Sequence, residues 1–302
     1  MNAINQILVV LDIFADESDE PDGLPIEVVK ALRFISSKSS SELLLVVCGY
    51  EKFLHDSYYS FGDEMRVLRE EHCKRLEARL SLVVDGLKAK GYKVRGELLW
   101  GNPRYEQIVK RAIDFSADLV IQHTRGHAKL ARTLLTNDSW QLVRYCPKPL
   151  LLVKDREWKV KPVLLAAVDP VHAHNKPLKL DHKIIELATS VAGHVGGELH
   201  VLHAYAEAGK PFALPEKVLK AHKEEFQRLL TDFNVPQSHC HLVNESPVFA
   251  LQQIEVKLAV DIIVMGALSR SRLADALVGN TAERVLDYLD ADVLIVKPES
   301  IS

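Results

Sequence analysis

Ile7-Leu8-Val9-Val10-Leu11-Asp12 returns later in the chain as Val163-Leu164-Leu165-Ala166-Ala167-Val168-Asp169, and that return decides the fold. Both are apolar runs closed by an aspartate, and Asp12 and Asp169 stand 157 positions apart. Working outward, Glu42-Leu43 through Cys48 matches Glu198-Leu199 through Ala204 at an offset of 156. Ala117-Asp118-Leu119-Val120-Ile121 matches Val260-Asp261-Ile262-Ile263-Val264 at 143. Leu150-Leu151-Leu152-Val153-Lys154 matches Val293-Leu294-Ile295-Val296-Lys297, again at 143. Landmark order is kept while the offset drops once. The chain is therefore a duplication whose first half carries about 13 extra residues, around Glu51 to Gly62.

Each half reads as five strands alternating with helices. The strands are continuous Val/Ile/Leu runs, the pattern of a parallel sheet covered on both faces. Ile26, Val29, Leu32 and Ile35 recur at helical spacing, as do Val218, His222, Phe226 and Leu229. A long helix from about Glu64 to Lys90 would bury Met65, Leu68, Leu76, Leu80, Val83 and Leu87. Pro103 and Pro247 each sit near the start of a third helix, where proline's missing amide costs nothing. The expected fold is α/β, with two tandem doubly wound five-stranded parallel-sheet domains. Their expected bounds are 1–154 and 160–302, joined by the short linker Asp155-Arg156-Glu157-Trp158-Lys159.

Composition narrows the function. Apolar residues at 47% and charged residues at 26% are ordinary for a soluble globular protein. The formal net charge is −3 and no polybasic block occurs, which argues against nucleic acid or an acidic membrane as partner. No apolar run approaches the roughly 20 residues needed to span a bilayer, and the N-terminus carries no signal-peptide pattern. Cys48, Cys73, Cys146 and Cys240 stand far apart, as reduced thiols do, so the expected compartment is the cytoplasm.

In a doubly wound sheet, ligands bind at the carboxyl ends of the strands, where strand order reverses. The fourth strand of the second half ends at Val264-Met265-Gly266 and runs on to Gly279-Asn280-Thr281, where the last helix begins. Gly266 would let the backbone turn sharply and let a ligand approach closely. Free amides and the helix dipole at 279–281 favour a phosphate. Asn280 with Glu283 is equally a sound capping pair, so phosphate binding and simple capping both fit. Neither G-x-x-x-x-G-K-[ST] nor G-x-G-x-x-G occurs.

With two tandem domains, each opening on an apolar strand that ends in aspartate, the chain resembles the universal stress proteins. Gly266-x-x-Ser269, nine residues, then Gly279-Asn280-Thr281 is similar to that family's G-x-x-G-x9-G-[ST] loop. The overall pattern is most similar to the tandem, E-type members of Gram-negative bacteria. That resemblance implies halves packed about a pseudo-two-fold axis, like a fused dimer, with a homodimer as a further expectation. It also implies ATP or another adenine nucleotide, with Mg, in the second domain. Asp169 would meet the adenine or ribose, beside the backbone of Ala167 and Val168, and Ala204 would line the adenine pocket. Met265, Gly266 and Ser269 would approach the ribose and phosphates, and Gly279, Asn280 and Thr281 would cradle the phosphates. Ser269 departs from the pattern's second glycine and Asn280 from its small hydroxyl residue. Arg270 and Arg272 either pair with phosphates or are solvated loop charges.

The first half aligns His123, Gly126, Thr136, Asn137 and Asp138 with this loop, losing two glycines and gaining a negative charge. It reads as a structural partner or a site for another ligand. Of the 13 histidines, His172, His174, His194, His200, His203, His239 and His241 cluster in the second half, and His239 and His241 would share a strand face. A carboxylate brought in by the fold could complete a zinc site, although no standard zinc spacing occurs and ordinary surface histidines are the default reading. His123 with Cys146 invites the same thought more weakly. Nothing resembles a catalytic triad or nucleophile elbow, so the chain reads as a nucleotide-responsive stress module with at most slow ATP hydrolysis. The competing readings are a scaffold without nucleotide and a crevice for another ligand or zinc.

Overall fold

Parallel strand pairing organises both halves of the computed structural model, which describes residues 4–12, 23–35, 40–56, 62–124, 137–171, 179–206, 215–266 and 289–297. The chain divides into two compact units, one built of residues 4–123 and 136–155, the other centred on residues 156–302. The first contains β1 (Gln6–Leu11), α1 (Ile26–Leu32), β2 (Glu42–Cys48), α2 (Lys52–Asp56), α3 (Asp63–Ala89) and β3 (Lys93–Leu99). It continues with α4 (Arg104–Asp114), β4 (Leu119–His123), α5 (Asn137–Tyr145) and β5 (Leu150–Val153). The second contains β6 (Val163–Val168), α6 (Leu180–Val195), β7 (Glu198–Tyr205), α7 (Pro215–Leu230) and a 3₁₀ turn at Gln237–His239. β8 (Cys240–Asn244), α8 (Pro247–Leu258), β9 (Ile262–Gly266) and β10 (Asp292–Val296) follow.

Strand order in the first unit is β3-β2-β1-β4-β5, and the second repeats it as β8-β7-β6-β9-β10. The pairings within each unit are parallel. Connections run outward from β1 to β3 and then return to β4, so right-handed crossovers place α1 and α3 on one face and α4 and α5 on the other. The reversal falls between β1 and β4, and between β6 and β9. Core burial follows the apolar runs: Ile7, Leu8, Val9 and Val10 are fully buried, as are Leu164, Leu165 and Ala166.

One aspartate in each unit fixes the start of the central strand. Asp118 Oδ2 accepts the backbone N–H of Asn5 and of Gln6, each at 2.9 Å. Its repeat partner Asp261 accepts the Val163 N–H at 2.8 Å. In both places the aspartate's own N–H donates back at 2.8 Å, to the Gln6 and Val163 carbonyls. The linker is also tied down within the second unit. Trp158 Nε1 donates to Asp292 at 2.7 Å, and Arg156 donates to the Val260 carbonyl.

Helix placement matches the sequence reading, but two buried faces differ. In α1 the inward residues are Val28, Lys30 and Ala31, followed by Phe34, while Val29 is exposed. Lys30 is buried because its ammonium donates to the Lys154 carbonyl at 2.6 Å, a long-range bond without a local pattern. In α3 the buried stripe is Met65, Leu76, Leu80, Val84 and Leu87, with Leu68 left 46% exposed. Phe226 and Leu229 of α7 are buried as expected.

Asp118→Ala strands two backbone amides and is expected to lower the unfolding free energy by about 2–3 kcal/mol. Urea midpoints at unchanged m-value measure it, and a loss below ~0.5 kcal/mol would remove the assigned role.

Candidate functional site

Three strand ends meet where strand order reverses in the second unit. Ala167 of β6 is in register with Met265 of β9 on one side and Leu202 of β7 on the other, and Val168 is in register with His203. The carboxyl ends of these strands therefore gather Ala167, Val168, Asp169, Ala204, Met265 and Gly266. Ala167, Ala204 and Gly266 are half-buried and small, which leaves the rim of the notch low. Ser269, Gly279, Asn280 and Thr281 lie outside the described residues, as do Arg270 and Arg272.

Gly266 owes its identity to packing, not to a left-handed turn. It ends β9, and a Cβ there would stand 2.7 Å from Leu180 Cδ2 at the start of α6. Asp181 in the same first turn is buried, and its Oδ1 accepts the Asp169 N–H at 3.2 Å. An acidic group at a helix N-terminus is favoured by the dipole, and here it also holds the end of β6 against α6. Behind the notch, fully buried His203 donates from Nδ1 to the Val168 carbonyl at 3.2 Å. Its Nε2 lies 2.8 Å from Nδ1 of His222 on α7, and Tyr205 stacks on the His222 ring. Burial lowers the His203 pKa, opposed by the nearby Asp169 carboxylate and the Val168 carbonyl.

The first unit fills the matching place differently. Asp12, at the end of β1, forms an ion pair with Arg104 at the start of α4. Burial opposes the guanidinium charge, but Asp12 and Cys48 outweigh it and hold the Arg104 pKa above its ordinary value. At the offset of 144 that aligns Pro103 with Pro247, the second half carries Val248 instead of an arginine. His123, opposite Gly266 in the repeat, accepts or donates at 2.9 Å to Asp155. Asn137 and Asp138 begin α5.

The structure brings Asp169 and Gly266 to the same strand ends, while Asp181 and Arg104 were not singled out in the sequence and His203 only as one of the second-half histidines. Asp181 had a signal, an acidic residue opening a helix just after the strand. Arg104 and His203 had none, because each is assigned by a strand or helix far away in the chain.

The sequence profile of the universal stress protein family matches residues 44–154 and, a second time, 172–297. The chain belongs to the universal stress protein family. It is a tandem member, similar along its length to the universal stress protein E homolog of Haemophilus influenzae, at 23% identity over 303 residues and 97% of each chain. Universal stress protein E of Photorhabdus laumondii is 31% identical over 223 residues, covering 69% of this chain and 70% of that protein. A crystal structure of a functionally unknown protein from Pseudomonas aeruginosa aligns with a TM-score of 0.74 at 28% identity, covering 98% of this chain and 94% of the other. Among the described residues no helix is long and apolar enough to cross a membrane.

Two outcomes are expected from this geometry. Arg104→Ala leaves the Asp12 carboxylate partly buried without its guanidinium and should destabilise the first unit by about 2–3 kcal/mol, read from chemical denaturation. His203 has a folded pKa below its ordinary 6.5, so the unfolded chain takes up the proton first. Its contribution is therefore complete above the unfolded value and is lost as pH falls through it towards the folded pKa. Comparing urea midpoints at pH 7.5 and 5.5 should show a drop that is smaller in His203→Gln.

Proposed function

We propose that the second half binds an adenine nucleotide, ATP with Mg, and that the chain works as a nucleotide-responsive regulatory module in the cytoplasm. The observation carrying this reading is the notch at the switch point, rimmed by Ala167, Ala204 and Gly266 with Asp169 at its edge. The small side chains of Ala167 and Ala204 suit the approach of a flat base, and a carboxylate suits the hydroxyls of a ribose. Asp169 would accept from the sugar while the Ala167 and Ala204 main chains border the base. Gly279, Asn280 and Thr281, with Ser269, would hold the phosphates at the start of the last helix.

The first half acts as structural partner in this reading. Its Asp12 is already engaged by Arg104, and a guanidinium lies where the second half carries only an aliphatic side chain.

Isothermal titration of the purified full chain with Mg-ATP is expected to give one site. Asp169→Ala and Gly279→Asp should each weaken it by at least about tenfold, ~1.4 kcal/mol. Equal binding by wild type and both variants, or none by wild type, would leave the scaffold reading in its place.

A further inference from the structure

The duplication supplies an internal comparison at the opposite ends of the strands. Register pairs Leu45 with Gly96 in the first unit and Val201 with Cys240 in the second. Glu42, Leu44 and Arg95 thus correspond to Glu198, His200 and His239. In the first unit Glu42 is neutralised by fixed cations, with Lys93 Nζ at 2.7 Å and Arg95 Nε at 2.6 Å, and Leu44 is fully buried. In the second unit imidazoles replace both the arginine and the leucine. His200 is 6% exposed, so it is not the surface histidine that its sequence context suggests.

These imidazoles converge on one carboxylate oxygen. Glu198 Oε1 lies 3.0 Å from His200 Nε2 and 3.5 Å from His239 Nε2, while Lys161 Nζ holds the other oxygen, Oε2, at 3.0 Å. The ligand atoms of Glu198, His200 and His239 lie within 4.8 Å of one another. His239 Nδ1 faces the Leu199 carbonyl at 3.0 Å, and a carbonyl only accepts, so Nδ1 carries the proton. With Nδ1 committed to that carbonyl, Nε2 is the ring nitrogen of His239 that faces Glu198 and is placed to ligate a cation. His200 Nδ1 meets His241 Nε2 at 3.1 Å, and the His200 ring stacks against both neighbours.

The three atoms converge as the ligands of one cation would. Zinc bonds of about 2.0–2.2 Å set tetrahedral ligand atoms roughly 3.3 Å apart, between the two separations found here. The backbone carbonyl behind His239 and the imidazole behind His200 are the outer partners that metal-bound histidines use. Glu198 is delivered rigidly: α6 ends on Gly196 at φ 64°, and a Cβ on Gly197 would stand 2.7 Å from the Pro162 carbonyl oxygen. Glu198 and His239 remain partly open to solvent, which gives the ion a path and a water its fourth position.

We propose that Glu198, His200 and His239 bind a divalent transition-metal cation of the zinc type at the amino ends of β7 and β8, with His241 as a positioning residue behind His200. Two imidazoles and one carboxylate suit zinc and exclude the hard oxygen-seeking ions magnesium and calcium. The site is distinct from the nucleotide notch, because Ala204 stands six residues further along β7, roughly 20 Å away.

The test is a zinc titration of chelator-stripped full chain against a competing indicator dye. Wild type should hold one equivalent at least about 100-fold more tightly than His200→Leu/His239→Arg, which rebuilds the first unit's own arrangement. That double variant should keep the metal-free thermal midpoint but lose the rise that zinc gives to wild type. His241→Ala should weaken the site about 10–100-fold at unchanged stoichiometry, with partial rescue by His241→Gln. Equal zinc affinity in wild type and double variant overturns the site. If the double variant fails to fold, imidazole nitrogen NMR of wild type decides: His200 and His239 signals that do not move by one equivalent of zinc overturn it too.

Discussion

A carboxylate bonded to backbone amides at the head of the central strand is the constraint from which the rest of each unit follows. Asp118 and Asp261 take the N–H groups that open β1 and β6, the central strand of each unit. Side chains alternate along a strand, so a slip of one residue would exchange its two faces. With the start fixed, the far end is fixed as well, and Asp12 and Asp169 emerge at the switch point. The acidic residue that begins the fourth strand thus determines where the acidic residue that ends the first one stands.

Duplication has kept this scaffold and altered what is mounted on it. At the carboxyl ends one unit joins its aspartate to Arg104, while the other joins the backbone of Asp169 to Asp181 and surrounds it with small residues. At the amino ends one unit surrounds a glutamate with lysine and arginine, the other with histidines. Both differences exchange a fixed charge for a group able to take part in reversible binding. Neither disturbs the core, because the strands between are buried aliphatic runs in both units.

Much of this was legible in the sequence, for physical reasons. Buried parallel strands need unbroken apolar runs, so each strand of the repeat announced itself; the strand-closing aspartate drew notice to Asp169 and the family loop to Gly266. The inward face of α1 was misread because Lys30 looks polar while its ammonium bonds to a carbonyl 124 positions away. Leu68 continues the apolar periodicity of α3 and is nevertheless exposed. His239 and His241 were visible as a pair. His200 was visible only as a member of the second-half histidine cluster and the carboxylate was not identified as Glu198, since only the register of β7 against β8 brings them against His239.

Helix α6 touches both ends of its unit. Leu180, in its first turn, fills the space that a side chain on Gly266 would claim, and beyond its last turn Gly196 and Gly197 lead directly into Glu198. Sixteen residues make a rod about 24 Å long. Bulk added at residue 266 would therefore be met first by the Leu180 side chain, at the opposite end of the rod from the glycine corner that leads into Glu198.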